Sequence, residues 1–232
     1  MKIIRTKDEH IFVCYNKKIF VIDLGYNDGS FERDISKLYE VYEYIGIEAN
    51  PSFKTSIKAK LFNFAVSNES QKKIEFGVDC NNSGSSSAVF LKNKKKIYIN
   101  SITLKDLYKL SGFNRIDILK IDIEGSEYNI LTEENISFLS ENTEQILIEF
   151  HNTSIKEYSE KIDLILEYFK KNNFYAKKFS FFNKEMNCDV YTFINEKLIS
   201  VNFFFKIQLN IFKYSKGILR LLKRNLKKIN LL

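Results

Sequence analysis

The sequence of 232 residues contains no tryptophan, one proline, eight glycines, three cysteines and two histidines. So few glycines and prolines exclude a collagen-like chain and long flexible linkers. Cys14, Cys80 and Cys188 lie far apart and without a CxxC spacing, which excludes a disulfide framework and a cysteine-ligated zinc site. We therefore expect reduced thiols and a cytoplasmic protein.

No uncharged apolar run reaches the roughly 20 residues that a membrane-spanning helix needs. Residues 1–9 are polar and charged, so we expect no N-terminal signal peptide. Hydrophobic residues make up 44% of the chain and charged residues 28%, as in ordinary soluble domains. This composition predicts one globular domain with an appendage.

The net charge of +7 is concentrated at one end of the chain. Nine of the 36 lysines and arginines lie in residues 197–232, which contain no acid, and this leaves 27 basic against 29 acidic residues elsewhere. We therefore divide the chain into a near-neutral domain, residues 1–196, and a basic tail, residues 197–232. Because a basic surface should lie on the binding fold itself, we expect no nucleic-acid partner for the domain.

The tail has the pattern of a basic amphipathic helix. On a helical wheel one face is apolar (Ile211, Ile218, Leu222, Leu226, Ile229), and lysines and arginines occupy the other. Such helices lie on anionic membranes, and residues 203–205, three phenylalanines, could anchor it. The pattern predicts peripheral attachment to the inner face of the membrane. The alternative is a helix docked on its own domain or on a second subunit of an oligomer.

Short apolar runs alternate with helical spacing in the first third of the chain. Strands are expected at 19–25, 44–49 and 60–66, with a helix over 30–42 and a turn and short helix from Asn50, which is the β-α-β-α-β order of a doubly wound sheet. Further strands are expected at 73–78, 97–99, 116–123, 145–150, 174–181 and 189–194. Further helices are expected at 103–110, from Glu127, and at 154–171.

The first strand runs into a DxGxNxG loop formed by Asp23, Gly25, Asn27 and Gly29. Glycine lets the backbone approach a ligand closely, and the following helix offers free N–H groups. A carboxylate at the loop entry would repel a pyrophosphate and suits an ammonium or sulfonium group. A plain strand–turn–helix connection is the alternative.

Two other strand ends carry acids. Glu48 ends the second strand, where a carboxylate can accept both hydrogen bonds of a ribose diol, although an exposed strand-end acid is also consistent with the pattern. Lys120, Asp122 and Glu124 alternate at the end of a buried strand, so they are expected on one face. Three charges on such a face are costly unless they line a cleft. A structural ion-pair cluster is the alternative.

Seven segments in order complete the pattern: VIDLGYNDGSF, IGIEANPSF, FNFAVSN, NSGSSS, SITLKDL, IDILKIDIEGSEYNIL and ILIEFHN. Over residues 19–195 they resemble the FkbM family of S-adenosylmethionine-dependent methyltransferases, with KIDIEGSE as the most specific segment. The resemblance implies an α/β, Rossmann-like class I methyltransferase fold with a mostly parallel seven-stranded sheet and helices on both faces. It also implies methyl transfer, usually to a hydroxyl oxygen of a sugar or another secondary metabolite.

Carried over by position, the resemblance assigns cofactor contacts to the first three strand ends. The methionine part of the cofactor would contact Asp23, Gly25, Asn27 and Gly29. The ribose would contact Glu48, with Asn50 nearby, and the adenine would contact Asn63, Phe64 and Ala65. Lys120, Asp122 and Glu124 would lie between methyl donor and acceptor, and His151 would face the acceptor. Tyr26 and Asp28 depart from the family pattern, where small or apolar residues are usual.

Several assignments stay open. Asp122, Glu124 or His151 could accept the proton of the acceptor hydroxyl, and Asp122 could instead bind the ammonium group of the cofactor. We assign no metal, because the spacing of Asp122, Glu149 and His151 is not diagnostic. The serine loop at 83–87 is either a lid over the site or a surface loop.

The leading hypothesis is a sugar O-methyltransferase that acts on a surface-glycan precursor. The alternatives are transfer to a polyketide or lipid hydroxyl, a NAD-binding oxidoreductase, and a nucleic-acid-binding protein that uses the tail.

Overall fold

A computed structural model describes residues 2–6, 10–14, 18–40, 42–53, 56–78, 87–89, 94–179 and 187–214. The strands are β1 Lys2–Arg5, β2 Ile11–Cys14, β3 Ile19–Leu24, β4 Tyr42–Ile47, β5 Lys60–Phe62, β6 Ala65–Val66, β7 Lys73–Val78, β8 Lys95–Ile102, β9 Ile116–Ile121, β10 Thr143–His151, β11 Phe174–Lys178 and β12 Cys188–Asn195. The helices are α1 Ser30–Leu38, α2 Leu104–Ser111, α3 Glu127–Ile130, α4 Glu133–Asn142 and α5 Lys156–Lys171, and residues 203–214 are also helical. Cys80, most of the serine loop and the tail from residue 215 lie outside the described residues.

The central sheet has seven strands in the order β11-β12-β10-β9-β3-β4-β5. Five neighbouring strands, from β10 to β5, are parallel, whereas β12 is antiparallel to both β10 and β11. The expected α/β sheet is therefore present, but it is mixed, because β11 and β12 form an antiparallel pair at one edge. The chain passes to one side from β3 and to the other side from β9, which makes the β3–β9 junction the topological switch point.

Two small sheets were not expected from the sequence. β1 and β2 form an antiparallel hairpin, and β6, β8 and β7 form a three-stranded sheet. The strand predicted at 60–66 is divided between two sheets: β5 pairs with β4, and β6 pairs with β8. The turn predicted from Asn50 is present, but the short helix expected to follow it is not found in the described residues 51–53 and 56–59.

Both faces of the central sheet are covered. On one face, apolar residues of β3, β4, β9 and β10 pack against α2, α4 and α5 in one hydrophobic cluster. On the other face, Val21, Ile118 and Leu147 pack against α1 and the hairpin residue Phe12. Alternation along each strand places neighbours such as Val21 and Ile22 in opposite clusters, as a sheet buried on both faces requires.

Side chains of the central sheet fix the N-terminal hairpin. The Gln145 amide accepts a hydrogen bond from the Val13 N–H at 2.7 Å and donates to the Val13 carbonyl at 3.0 Å. The Thr192 hydroxyl donates to the carbonyl of Ile11 at 2.5 Å. These bonds satisfy the inner edge of β2 and hold β2 against β10 and β12.

The helical residues 203–214 dock through one face only. Phe205 and Leu209 are buried with Ile11 and Val13 of the hairpin, whereas Phe203 and Phe204 are exposed. The docked alternative is thus observed for this part of the tail. Within the described residues, no helix is long and apolar enough to cross a membrane.

Candidate functional site

A cleft with a volume of about 250 Å³ opens beside the switch point, at the carboxyl ends of the parallel strands. This is where open α/β sheets bind their ligands. The residues around it are Gly25, Asn27, Ile47, Glu48, Ala49, Phe64, Ala65, Val66, Phe76, Ala88, Asp122, Ile123, Glu124, Ser126, Glu149 and His151. Eight of the predicted site residues therefore line this cleft. Three of its acids, Asp122, Glu124 and Glu149, lie around His151 at one end.

The β3–α1 turn reaches the cleft because Gly25 has no side chain. Gly25 has a φ of +82°, and a Cβ there would overlap the carbonyl oxygen of Asp122. The next residues also bend sharply, since Asn27 has a φ of 50°. Asn27 lines the cleft, and its Oδ1 atom is buried and has no hydrogen-bond partner among the described residues, so it is an unpaired acceptor beside the cleft.

Two other loop residues serve the fold. Tyr26 is buried, and its hydroxyl donates to the Glu32 carboxylate at 2.6 Å. That ring also explains Gly29, whose Cβ would overlap the Tyr26 hydroxyl. The side chain of Tyr26, which departs from the family pattern, thus points into the core, and Gly29 does not line the cleft.

Glu48 is held rigidly at the end of β4. One carboxylate oxygen accepts the Asn27 N–H at 2.8 Å, and the other accepts the Asn50 N–H at 2.7 Å. The side chain is only 8% exposed, and burial raises its pKa although the two backbone N–H groups act in the opposite direction. Each oxygen keeps a lone pair, so the group can accept hydrogen bonds from two hydroxyls of one ligand.

Of the residues near the third strand end, some line the cleft and others hold the Glu48 segment in place. Asn50 is buried, and its side chain accepts the Ser52 N–H. The Asn63 side chain donates to the Glu48 carbonyl at 3.1 Å. Phe64 and Ala65 line the cleft, as predicted for a pocket that accepts a flat apolar group, whereas Asn50 and Asn63 act through the Glu48 segment.

A buried ion-pair network underlies the charged end of the cleft. The Lys120 ammonium lies 3.1 Å from Asp23, 3.2 Å from Asp122 and 3.2 Å from the Gly25 carbonyl. Burial opposes the charge on Lys120, but the two carboxylates outweigh it and raise its pKa. Asp23 is fully buried and also accepts the Tyr44 hydroxyl at 2.6 Å, so it lies beneath the cleft rather than on its surface.

His151 and Glu127 form a second charged pair. The His151 Nδ1 atom lies 2.9 Å from Glu127, whose carboxylate also accepts the N–H groups of Ile123 and Gly125. Burial opposes protonation of His151, but the bond to Glu127 and the nearby acids outweigh it and raise its pKa to about 10. Its Nε2 atom is turned towards the cleft carboxylates.

Three carboxylates surround that nitrogen: the distances from His151 Nε2 are 3.6 Å to Asp122, 3.7 Å to Glu124 and 3.8 Å to Glu149. Burial raises the pKa of Glu124 to about 7. Glu124 does not reach the cleft by strand alternation, because β9 ends at Ile121 and Glu124 lies in the following turn with a φ of 52°. Strand alternation therefore does not explain the position of Glu124, and the prediction that it shares a strand face with Lys120 is wrong.

Sequence reasoning missed part of this end. Glu127 was expected only to begin a helix, and the positioning contact with His151 depends on a tertiary approach of α3 to β10. Glu149 was named from the sequence only beside Asp122 and His151 as a non-diagnostic ligand set, and the structure places it there because β9 and β10 are parallel and Ile121 is opposite Ile148. Phe76 and Ala88 come from segments without a motif, and Ser126 lies within KIDIEGSE but was not assigned to the site.

Comparison with known proteins places the chain in a family. A family model described as the methyltransferase FkbM domain matches residues 23–175, more than half of the chain. No curated protein matches the chain. Among solved structures, the Methanococcus jannaschii fibrillarin pre-rRNA processing protein is 13% identical, with 84% of this chain and 82% of that chain covered and a TM-score of 0.46. Precorrin-6y C5,15-methyltransferase from Geobacter metallireducens is 9% identical, with 77% and 81% covered and a TM-score of 0.43.

The close approach at Gly25 gives a stability prediction. Gly25→Ala should lower the free energy of unfolding by more than the about 1–3 kcal/mol expected from a positive φ alone, because the methyl group also overlaps Asp122. Gly112→Ala is the matched control, since Gly112 has a φ of +66° and nothing within 4 Å of its Cβ position. Urea unfolding of both variants measures the difference. Equal losses of unfolding free energy in Gly25→Ala and Gly112→Ala would show that the overlap with Asp122 is relieved without cost.

Proposed function

The chain belongs to the FkbM methyltransferase domain family, and on this basis we propose that it is an S-adenosylmethionine-dependent O-methyltransferase that acts on a sugar hydroxyl of a surface-glycan precursor. The observation that carries the proposal is the Glu48 carboxylate, fixed by two backbone N–H groups in a cleft whose other end is lined with acids. This arrangement suits a ligand with a ribose diol and a positive charge. When bound, S-adenosylmethionine supplies the electrophilic methyl group.

The residues of one end of the cleft fit the cofactor. Glu48 would accept the ribose hydroxyls, and Phe64 and Ala65 would contact the adenine. The unpaired Asn27 Oδ1 would accept a hydrogen bond from the ammonium group. The bare Gly25 backbone leaves room for the methionine part, and Asp23 supports this loop through Lys120 and its bond to the Gly25 carbonyl.

The acidic end fits an acceptor that must lose a proton. A hydroxyl is a weak nucleophile until a nearby group accepts its proton. Glu124 and His151 both face the cleft and are partly exposed, so either can contact an acceptor hydroxyl. Lys120 and Asp122 would hold the loop between donor and acceptor in place, and Glu127 would orient the His151 ring.

Cofactor binding is the first test. Glu48→Gln should weaken S-adenosylmethionine binding at least tenfold, about 1.4 kcal/mol, because glutamine keeps only one acceptor oxygen for the ribose. Calorimetric titration measures this, and Glu75→Gln, an exposed carboxylate of β7 outside the cleft, should leave the affinity unchanged. A wild-type protein that binds NAD but not S-adenosylmethionine would favour the oxidoreductase instead.

Turnover separates the acidic end from the cofactor end. Glu124→Gln should keep the S-adenosylmethionine affinity within about threefold and lower kcat by about 10²–10⁴, the usual contribution of a general base. His151→Gln should also keep the affinity within about threefold and lower kcat, because it removes a protonated group beside the acceptor. The assay combines the protein, S-adenosylmethionine and a panel of nucleotide sugars, with product detection by mass spectrometry and NMR. Transfer to polyketide or lipid hydroxyls only would support the second substrate class, and methylation of carbon or nitrogen would contradict O-transfer.

We also propose peripheral binding to anionic membranes through the tail. Phe203 and Phe204 are 72% and 74% exposed on the docked helix, and Ile211 is 63% exposed on the same outward side. The nine basic residues of 197–232, without an acid, complement an anionic surface at about 1 kcal/mol per residue near it. The same segment also orients the helix, because Phe205 and Leu209 keep its other face on the domain.

The membrane test uses sedimentation with vesicles of phosphatidylglycerol and phosphatidylcholine at low salt. The double variant Phe203→Ser and Phe204→Ser should lower the bound fraction at least fivefold, because each ring contributes apolar surface to insertion. Leu110→Ser with Leu164→Ser is the matched control, since both leucines are 47% exposed elsewhere on the surface. Equal binding of both double variants would exclude these rings as the anchor.

A further inference from the structure

His10, one of only two histidines in the chain, is buried without a hydrogen-bond partner. Its side chain is 0% exposed, and neither ring nitrogen has a partner among the described residues. A buried polar group of this kind carries a free-energy cost and is rare unless something binds it. The cofactor and acceptor contacts described above make no use of this side chain, which does not line the cleft.

The ring is nevertheless held in a fixed position. The His10 N–H donates to the Thr6 hydroxyl oxygen at 3.1 Å, and the Thr6 N–H donates to the His10 carbonyl at 2.9 Å. The Phe31 ring lies edge-on, 5.9 Å from the imidazole. A neutral imidazole with both nitrogens unpaired has a lone pair to offer a ligand.

Two carboxylates lie close to the His10 ring. The ligand atoms of His10, Asp122 and Glu149 all lie within 4.8 Å of one another. Ligands about 2.0–2.2 Å from one ion lie at most about 4.4 Å apart, so small side-chain shifts would bring the three onto one ion. The two carboxylates are neighbours because β9 and β10 are parallel and in register up to Ile121 and Ile148.

The charge balance of this region favours a cation. Among the described residues, five carboxyl groups (Asp23, Asp122, Glu124, Glu127, Glu149) face two cationic groups, Lys120 and His151. Lys120 neutralises Asp23 and one oxygen of Asp122, and His151 is bound to Glu127. Glu149 lies 3.8 Å from His151, which it shares with Asp122, Glu124 and Glu127.

We propose that His10, Asp122 and Glu149 bind one divalent transition-metal ion at the inner wall of the cleft. One imidazole nitrogen with two carboxylates suits Mn²⁺, Fe²⁺, Co²⁺ or Zn²⁺ better than Mg²⁺, which prefers oxygen ligands. The binding of the ion does not depend on the proposed function. A role of the bound ion in positioning the oxygen atoms of a methyl acceptor would rest on that function.

A second set of ligand atoms, from Asp122, Glu124 and His151, also lies within 4.8 Å and shares one carboxylate. The bond of His151 Nδ1 to Glu127 is compatible with metal binding through Nε2. The set with His10 is favoured because both nitrogens of that buried ring have no partner among the described residues. Since the chain has no other histidine, imidazole coordination can come from these two residues alone.

The experiment uses the untagged full chain after treatment with a chelator. Mn²⁺ binding is measured by calorimetry, and electron spin-echo spectroscopy of the bound Mn²⁺ detects a coordinated imidazole nitrogen. His10→Phe should weaken Mn²⁺ binding at least about tenfold and abolish the nitrogen signal. His151→Gln is the matched control: it removes a positive group 3.6 Å from Asp122, so it should not weaken Mn²⁺ binding, and it should retain the nitrogen signal. If His10→Phe does not fold by circular dichroism, Glu149→Gln should show the same loss of affinity.

Three results would overturn the proposal: no Mn²⁺ binding by the wild type, equal binding by the wild type and His10→Phe (or, where that variant does not fold, Glu149→Gln), or a nitrogen signal that is lost only in His151→Gln. Titration of the same preparations with S-adenosylmethionine separates the two proposals. Cofactor binding without Mn²⁺ binding would remove the metal site and leave the methyltransferase, and Mn²⁺ binding without cofactor binding would do the reverse.

Discussion

The Lys120 ammonium is the interaction on which the site depends. It is almost completely buried, and it joins Asp23 on β3, the Gly25 carbonyl in the following turn and Asp122 after β9. A buried ion pair adds little net stability, but removal of one partner leaves an uncompensated charge, so the pair specifies one arrangement of the strands. Because β3 and β9 are neighbours at the switch point, this one side chain sets the relative position of the two turns that form the cleft. The overlap that any Cβ at Gly25 would have with Asp122 shows how closely those turns meet.

From that junction the cleft becomes chemically asymmetric. Towards β4, one carboxylate is fixed by backbone N–H groups, and the walls are apolar at Phe64 and Ala65. Towards β10, acids accumulate around the His151 ring, and burial keeps the carboxyl groups of Glu124 and Glu149 from ionising as readily as they would in water. The first end suits a ribose and an adenine, and the second suits groups that carry positive charge or lose a proton. A methyl transfer needs both environments side by side, with water excluded between them.

The sequence predicted the parts of this arrangement that depend on local pattern. Buried parallel strands are nearly continuous apolar runs, so β3, β4, β9 and β10 could be located, and acids at their ends could be assigned to a cleft. The division of residues 60–66 between two sheets was missed, because both halves are apolar and only the partner strands distinguish them. Glu124 was placed on the correct side for the wrong reason, since a left-handed turn and not alternation brings it to the cleft. The contact of Glu127 with His151 joins residues 24 positions apart, and no spacing rule contains it.

The N-terminal hairpin shows how a segment without a motif becomes part of the site. Its first contribution is packing, because Ile11 and Val13 lie in one cluster with Phe205 and Leu209 of the tail helix. Its second contribution is polar, because Gln145 and Thr192 satisfy the backbone of β2 and so fix the residue before it. That residue is His10, whose ring lies beside Asp122 and Glu149. The hairpin therefore contacts the tail helix on one side and the acidic end of the cleft on the other. A change in how the helix packs on Ile11 would act on the His10 backbone directly, since the two residues are adjacent in the chain.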